Sequence, residues 1–177
     1  YGQMDDDKYV LAVMDTILGG SMGSRLFQEI REKRGLAYSV GSYAAMHREG
    51  GYFTAYGGTS PETYEQCLDL VREEFARVRK DGVEAAELER AKNQFRGSTV
   101  MGQESMTSRM HRLGKSEVYY NRVIPLEEVL ADIEAVTQED VLRVAAKVLP
   151  ENPGDLTVAA VGPFKKPRKP RTVKKEK

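Results

Sequence analysis

Apolar residues recur at helical spacing along most of this chain and alternate along one stretch only, and that contrast predicts its elements. Asp5, Asp6 and Asp7 crowd the start of a helix running towards Gly19, where negative charge suits the positive helix end. From Met22 to Arg34 a second helical segment carries Leu26, Phe27 and Ile30 on one face, and Gly35 supplies a left-handed stop. The pattern then switches to β-rich alternation. Ala37 to Met46 and Gly51 to Gly57, joined through His47-Arg48-Glu49-Gly50, read as an antiparallel hairpin. Ser60-Pro61-Glu62 reads as a helix start, serine as N-cap and proline at the first helical position. Tyr64, Cys67, Leu68, Val71, Phe75 and Val78 follow at helical spacing, predicting a long amphipathic helix that ends at Gly82. A further helical region from about Glu84 to Tyr120 should break near Gly102 or Ser105. Another begins at Pro125 with Leu126, Val129, Leu130 and Ile133 inward, and Thr137 caps the last, with Val141, Val144, Ala145 and Val148. Leu156 to Val161 reads as a final strand. The fold class is therefore α+β, a mostly antiparallel sheet with helices packed against one face.

Composition narrows the picture further. The 177 residues suffice for one sizeable core, and no apolar run approaches the roughly 20 residues that a membrane helix needs. Formal charge is zero overall but unevenly placed. Eight basic residues and one acidic lie between Lys165 and Lys177, which leaves 19 basic and 26 acidic in residues 1–164. The tail, with two prolines and few apolar positions, reads as a disordered basic segment after a folded unit spanning 1–164. No aromatic residue interrupts it, so nucleic-acid stacking is unsupported and no nucleic-acid partner is expected. Cys67, the single cysteine, falls on an apolar helix face and reads as a buried inert thiol; its usage fits a reducing compartment, and a soluble cytoplasmic location is the expectation.

Candidate chemistry lies between Arg31 and Tyr38. A cation in a last helical turn and a phenol at a strand start, separated by Gly35, should share one rim of the sheet. The alternative on spacing alone is an arginine paired with Glu29 or Glu32 and a tyrosine packed in the sheet. Gly19-Gly20-Ser21-Met22-Gly23 lacks the lysine of a phosphate-binding loop and reads as a tight turn between helices. His47 and His111 stand in no metal-ligand spacing, and three aspartates without further oxygen-ligand spacing read as a helix start.

Four segments, in order, resemble the second-half, non-zinc domain of the pitrilysin/insulinase-type zinc metallopeptidases, most closely the processing-peptidase-like members. They are Leu18-Gly19-Gly20-Ser21-Met22-Gly23-Ser24-Arg25-Leu26-Phe27, Arg31-Glu32-Lys33-Arg34-Gly35-Leu36-Ala37-Tyr38-Ser39, Gly57-Gly58-Thr59-Ser60-Pro61-Glu62 and Glu87-Leu88-Glu89-Arg90-Ala91-Lys92-Asn93-Gln94. The similarity runs from about Asp5 to about Phe164. It implies a half-clamshell domain that opens with a strand ahead of the first helix. Tyr1 arrives only a few residues before the aspartates, so the first strand is expected to be missing and the chain to be a fragment.

The resemblance also implies a division of labour. The catalytic half carries H-x-x-E-H, in which two histidines bind zinc and the glutamate activates water. That motif is absent here, so zinc is expected in a partner half, as a domain or separate subunit, and none in this chain. Arg31 and Tyr38 match the family residues that grip substrate backbone and stabilise the oxyanion, Tyr38 acting in trans on the partner's site. Gly19 and Gly20 match a loop associated with substrate contact. Two functions follow: a substrate-binding half of a zinc endopeptidase that cleaves peptides or presequences when paired, or a non-catalytic scaffold subunit of the same fold. An exposed sheet edge left by the missing strand should also favour self-association.

Overall fold

The computed structural model describes residues 1–163 and consists of a helical body with a hairpin laid against it. The first helix, α1 (Lys8–Leu18), is too short to persist alone in water. Burial of Val10, Leu11, Val13, Met14, Ile17 and Leu18 holds it, each large side chain contributing roughly 2 kcal/mol on leaving water. Asp7 stands at its N-cap and makes a two-pronged ion pair with Arg143 at 2.6 and 2.7 Å, which joins the start of α1 to the last helix.

After a glycine-rich loop the chain makes a π-helical turn, Phe27–Glu32, in place of the regular helix that the spacing predicts. Its wider i→i+5 bonding shows in the Lys33 N–H, which donates to the Gln28 carbonyl at 2.9 Å. Gly35, at φ 61°, then stops it: its N–H donates to the Arg31 carbonyl, and the Leu36 N–H donates to that of Ile30.

Strands β1 (Ala37–Met46) and β2 (Gly51–Thr59) form the expected hairpin, two residues longer at its end than the alternation indicates. Val40, Ser42, Ala44 and Met46 share one face with Phe53 and Ala55, turned to the core; Ser39, Gly41, Tyr43 and Ala45 share the other with Tyr52, Thr54 and Tyr56. Helix α2 (Tyr64–Asp81) covers the inner face, where the Phe75 and Phe53 rings meet at 5.8 Å. Helices α3 (Ala85–Met101), α4 (Met106–Tyr120), α5 (Leu126–Ala135) and α6 (Gln138–Val148) complete the body. The break between α3 and α4 is a short 3₁₀ turn at Gly102–Glu104, where the two glycine and serine signals placed it. Thr137 caps α6 through a reciprocal capping box with Asp140. Cys67 is buried, its thiol donating to the Thr59 hydroxyl at 3.3 Å.

Two expectations need correction. Residues 156–161 form no strand, and Val158 and Val161 are exposed. An apolar run becomes a strand only when a neighbour takes its backbone groups, and among the described residues the sheet has two strands, each paired with the other. Ser60 is not the N-cap of α2 either. Thr63 is, because Ser60-Pro61-Glu62 closes a preceding turn in which the Thr63 N–H donates to the Ser60 carbonyl. The basic tail from Lys165 lies outside the described residues. Among the described residues no helix is long and apolar enough to cross a membrane.

Candidate peptide-contact site

Arg31 and Tyr38 are brought together. The guanidinium of Arg31 lies over the Tyr38 ring, 4.8 Å from its centroid, and over the Phe27 ring at 4.6 Å. Both contacts are cation–π interactions of roughly 0.5–1 kcal/mol at an accessible site. They restrain a long side chain while leaving the N–H donors around the edge of its plane open. Of the two carboxylates that spacing offers Arg31, Glu29 is engaged by Lys33 and Arg34, whose hydrogen bonds hold its carboxyl below the usual range. Glu32 approaches Arg31 no closer than 3.7 Å. Arg31 is thus held by rings and only loosely by charge.

Tyr38 is placed by an irregularity in the sheet. Ala37 pairs with Thr59 and Ser39 with Gly58, so Tyr38 is the extra residue of a β-bulge. The bulge sends Tyr38 and Ser39 outward in succession, and Tyr38 is 82% exposed. It does not pack in the sheet. A phenol in that position presents its hydroxyl to whatever occupies the space in front of the rim.

Gly19 and Gly20 lie in the loop after α1, where Gly19 sits against Ser42 of β1 and Gly20 against Asp15 and Thr16. A Cβ on Gly19 would stand 2.2 Å from the Ser42 nitrogen and 2.5 Å from its Oγ, so no side chain fits there. Both glycine N–H groups donate to the Asp15 carbonyl, at 2.9 and 2.8 Å. Ser42 Oγ donates to the Asp15 carboxylate at 2.5 Å, and burial pushes that carboxyl above its usual range. The loop is therefore tied to the strand about 10–13 Å from Tyr38, three to four residues along β1.

The remaining motif residues are cross-ties. Arg25 donates to both oxygens of Glu87, at 2.8 and 2.6 Å, and to the Gly82 carbonyl. The same guanidinium stands 4.0 Å from Glu74, which is 2% exposed and also receives Arg77 at 2.7 Å. Burial raises the Glu74 carboxyl above its ordinary value, and the two arginines oppose the rise. Lys92, also buried, donates to the Glu134 carbonyl at the end of α5. Sequence reasoning saw these motifs but not that one grips another; an arginine and a glutamate 62 positions apart carry no local signal of their pairing. It also missed Phe27 as the second ring under Arg31, although the four-residue step between them places both on one face.

His47 is exposed in the hairpin loop and His111 is exposed on α4. Among the described residues no three His, Cys, Asp or Glu side chains gather to hold a metal ion. The described residues do not fit a zinc ion.

Comparison with known proteins identifies the family. Residues 1–95 match the family model of the peptidase M16 inactive domain. The chain is 41% identical over 161 residues to an uncharacterized zinc protease of Streptomyces coelicolor and 39% identical over 155 to one of Bacillus subtilis. Those alignments cover 91% and 88% of this chain but 34% and 37% of the relatives, so the chain spans about a third of their length. Among solved structures, a peptidase M16 inactive domain from Pseudomonas fluorescens superposes with a TM-score of 0.76 at 32% identity, covering 84% of this chain and 36% of that one. A conserved protein from Enterococcus faecalis gives 0.73 at 26% identity, covering 82% and 34%. By these matches the chain belongs to the family of peptidase M16 inactive domains, and its relatives are named zinc proteases.

Proposed function

We propose that this chain is the substrate-binding half of a zinc metalloendopeptidase, working opposite a half that carries H-x-x-E-H and the zinc. The observation that supports this most is the Arg31–Tyr38 pair: a guanidinium braced on two rings with its donors open, beside a phenol that a bulge turns outward. The zinc in the partner half would supply the activated water. The work of this chain's residues is distinct from that. Arg31, with planar donors, holds backbone carbonyls of an extended peptide and fixes its register. Tyr38 donates its hydroxyl to the carbonyl oxygen as negative charge develops there, an electrostatic stabilisation of several kcal/mol when preorganised. Gly19 and Gly20 offer carbonyls to peptide N–H groups on the same strand side.

On this reading the isolated chain hydrolyses no peptide and holds no stoichiometric zinc, and mixing it with the zinc-bearing half restores cleavage. Metal analysis finding one tightly bound zinc per chain, or cleavage by the chain alone, overturns it. The second reading, a scaffold subunit without processing activity, predicts instead that mixing the chain with a zinc-bearing half restores no cleavage. A sheet of two strands also leaves edge groups open among the described residues. Association through that edge, with a second copy or with another segment of the protein, is expected as a concentration-dependent mass in sedimentation; a monomer with freely exchanging edge amides counts against it.

A further inference from the structure

The outer face of the hairpin carries three tyrosines, and nothing in the chemistry above uses them. Tyr56 stands opposite Gly41, Tyr43 opposite Thr54 and Tyr52 opposite Ala45, so their rings occupy three successive alternate positions on one face. Tyr43 meets Tyr52 edge-on at 6.1 Å and meets Tyr56 at 6.1 Å in a tilted contact. They form a ladder, yet Tyr56, Tyr43 and Tyr52 remain 52%, 43% and 53% exposed. Small partners make the ladder flat. A Cβ on Gly41 would meet the Gly19 carbonyl and the Tyr56 hydroxyl, each at 2.9 Å, and the Tyr56 ring at 3.1 Å, so the loop carbonyl and the phenol both close on the strand only because position 41 is glycine.

The ladder continues the line of the Arg31–Tyr38 rim. The bulge that exposes Tyr38 and Ser39 together joins them to this face. At about 3.3 Å per residue, the three register positions lie about 10, 17 and 23 Å from Tyr38, the third, fifth and seventh residues along. An extended peptide lying along the strand has the same rise and turns every second side chain to one side. Its third, fifth and seventh residues from the gripped bond would meet one phenol each. No charged side chain stands on this face between Ser39 and Gly58, so neither a cation nor an anion finds a counter-charge there. Tyrosines are rigid and amphipathic, which favours apolar contact at low entropic cost.

We infer that the Tyr56–Tyr43–Tyr52 ladder is an extended subsite selecting substrates with apolar side chains at alternate positions, starting three residues from the cleaved bond. This rests on Arg31 and Tyr38 being the peptide-gripping pair.

The test uses three labelled peptides, identical around the cleaved bond and carrying phenylalanine, alanine or lysine at the third, fifth and seventh residues to one side, together with their mirror-placed counterparts. Binding to the 177-residue chain is read by fluorescence anisotropy, and cleavage by the chain reconstituted with its zinc-bearing half. The phenylalanine peptide of one series should bind roughly tenfold tighter than its alanine analogue. Tyr43→Ser and Tyr52→Ser should each remove about threefold of that advantage without moving the melting temperature, while Tyr43→Phe keeps it. Equal binding of the phenylalanine and alanine peptides in both series, a preference for lysine, or serine variants that bind like the parent overturns the subsite. The two readings fail separately. Arg31→Ala should weaken the alanine peptide too; if it does not while the phenylalanine advantage persists, the grip is wrong, and the ladder's apolar preference stands while its placement relative to the cleaved bond falls.

Discussion

Arg25 and Arg31 stand six residues apart, flanking the same buried pair Leu26 and Ile30, and the fold treats them in opposite ways. Arg25 is closed in. Both prongs of its guanidinium meet Glu87, and buried Glu74 lies 4.0 Å away. Arg31 is braced on the faces of Phe27 and Tyr38, and its nearest carboxylate is 3.7 Å off. The first arrangement spends most of an arginine's donors inside the fold, three hydrogen bonds from Nε and Nη2, and the second leaves them available. A guanidinium hydrogen-bonded mainly inside the fold is part of its framework; one braced on ring faces, with a single carboxylate 3.7 Å away, can still receive a ligand's oxygens.

This contrast can be broken or sharpened by substitution. The largest effect is expected on stability, from Arg25→Ala. It leaves Glu74 and Glu87 short of a counter-charge in a partly buried site, and a loss of about 3 kcal/mol is expected in urea unfolding. Next in size is Tyr38→Phe in the reconstituted enzyme. The ring stays, so Arg31 keeps its platform, while the hydroxyl is lost, and kcat should fall roughly 10²-fold with KM and the unfolding midpoint unchanged. Arg31→Ala comes third: KM should rise about tenfold, with kcat falling less because Tyr38 loses a neighbour rather than its hydroxyl.

The smallest effect concerns Asp15, beside the glycine loop. Burial raises its carboxyl in the folded state, so between the ordinary carboxylate range and the raised value the folded chain binds the extra proton. Stability therefore falls as pH rises through that window. Asp15→Asn keeps an acceptor for Ser42 and removes the titration, so stability measured from acid to neutral pH should lose that part of its decline. A steeper decline in the variant would show that the carboxylate is held by charge partners rather than penalised by burial.

How much of this was legible in the sequence differs between the two arginines. Arg31 and Tyr38 were readable because their cues are local: an apolar helical face, a glycine that must turn left-handed, and an alternating run that follows. Gly35 at φ 61° and the hairpin bear out those cues. The bulge at Tyr38 and the π-helical turn were not readable, since each inserts one residue into a periodicity that composition alone does not mark. Arg25–Glu87 was invisible for another reason: the pair exists only once α3 lies against the glycine-loop segment. The helices from α2 to α6 followed their apolar spacing, with Thr137 capping α6 as expected but Thr63 in place of Ser60 capping α2, whereas 156–161 misled because an apolar run specifies a strand only when a partner edge is present. The tyrosine ladder was in plain view as alternation, but which face of the hairpin met the core depends on α2 and the Phe53–Phe75 contact.

The most direct test of the contrast replaces each arginine by lysine, which keeps the charge but loses the fork and the planar stacking. Melting temperature and kcat/KM of the reconstituted enzyme are measured together on Arg25→Lys and Arg31→Lys. Arg25→Lys should lower the melting temperature and, well below it, leave kcat/KM near that of the parent. Arg31→Lys should leave the melting temperature in place and lower kcat/KM about tenfold. If Arg31→Lys instead melts early with kcat/KM intact, Arg31 is framework like Arg25, and the rim is not where a peptide is held.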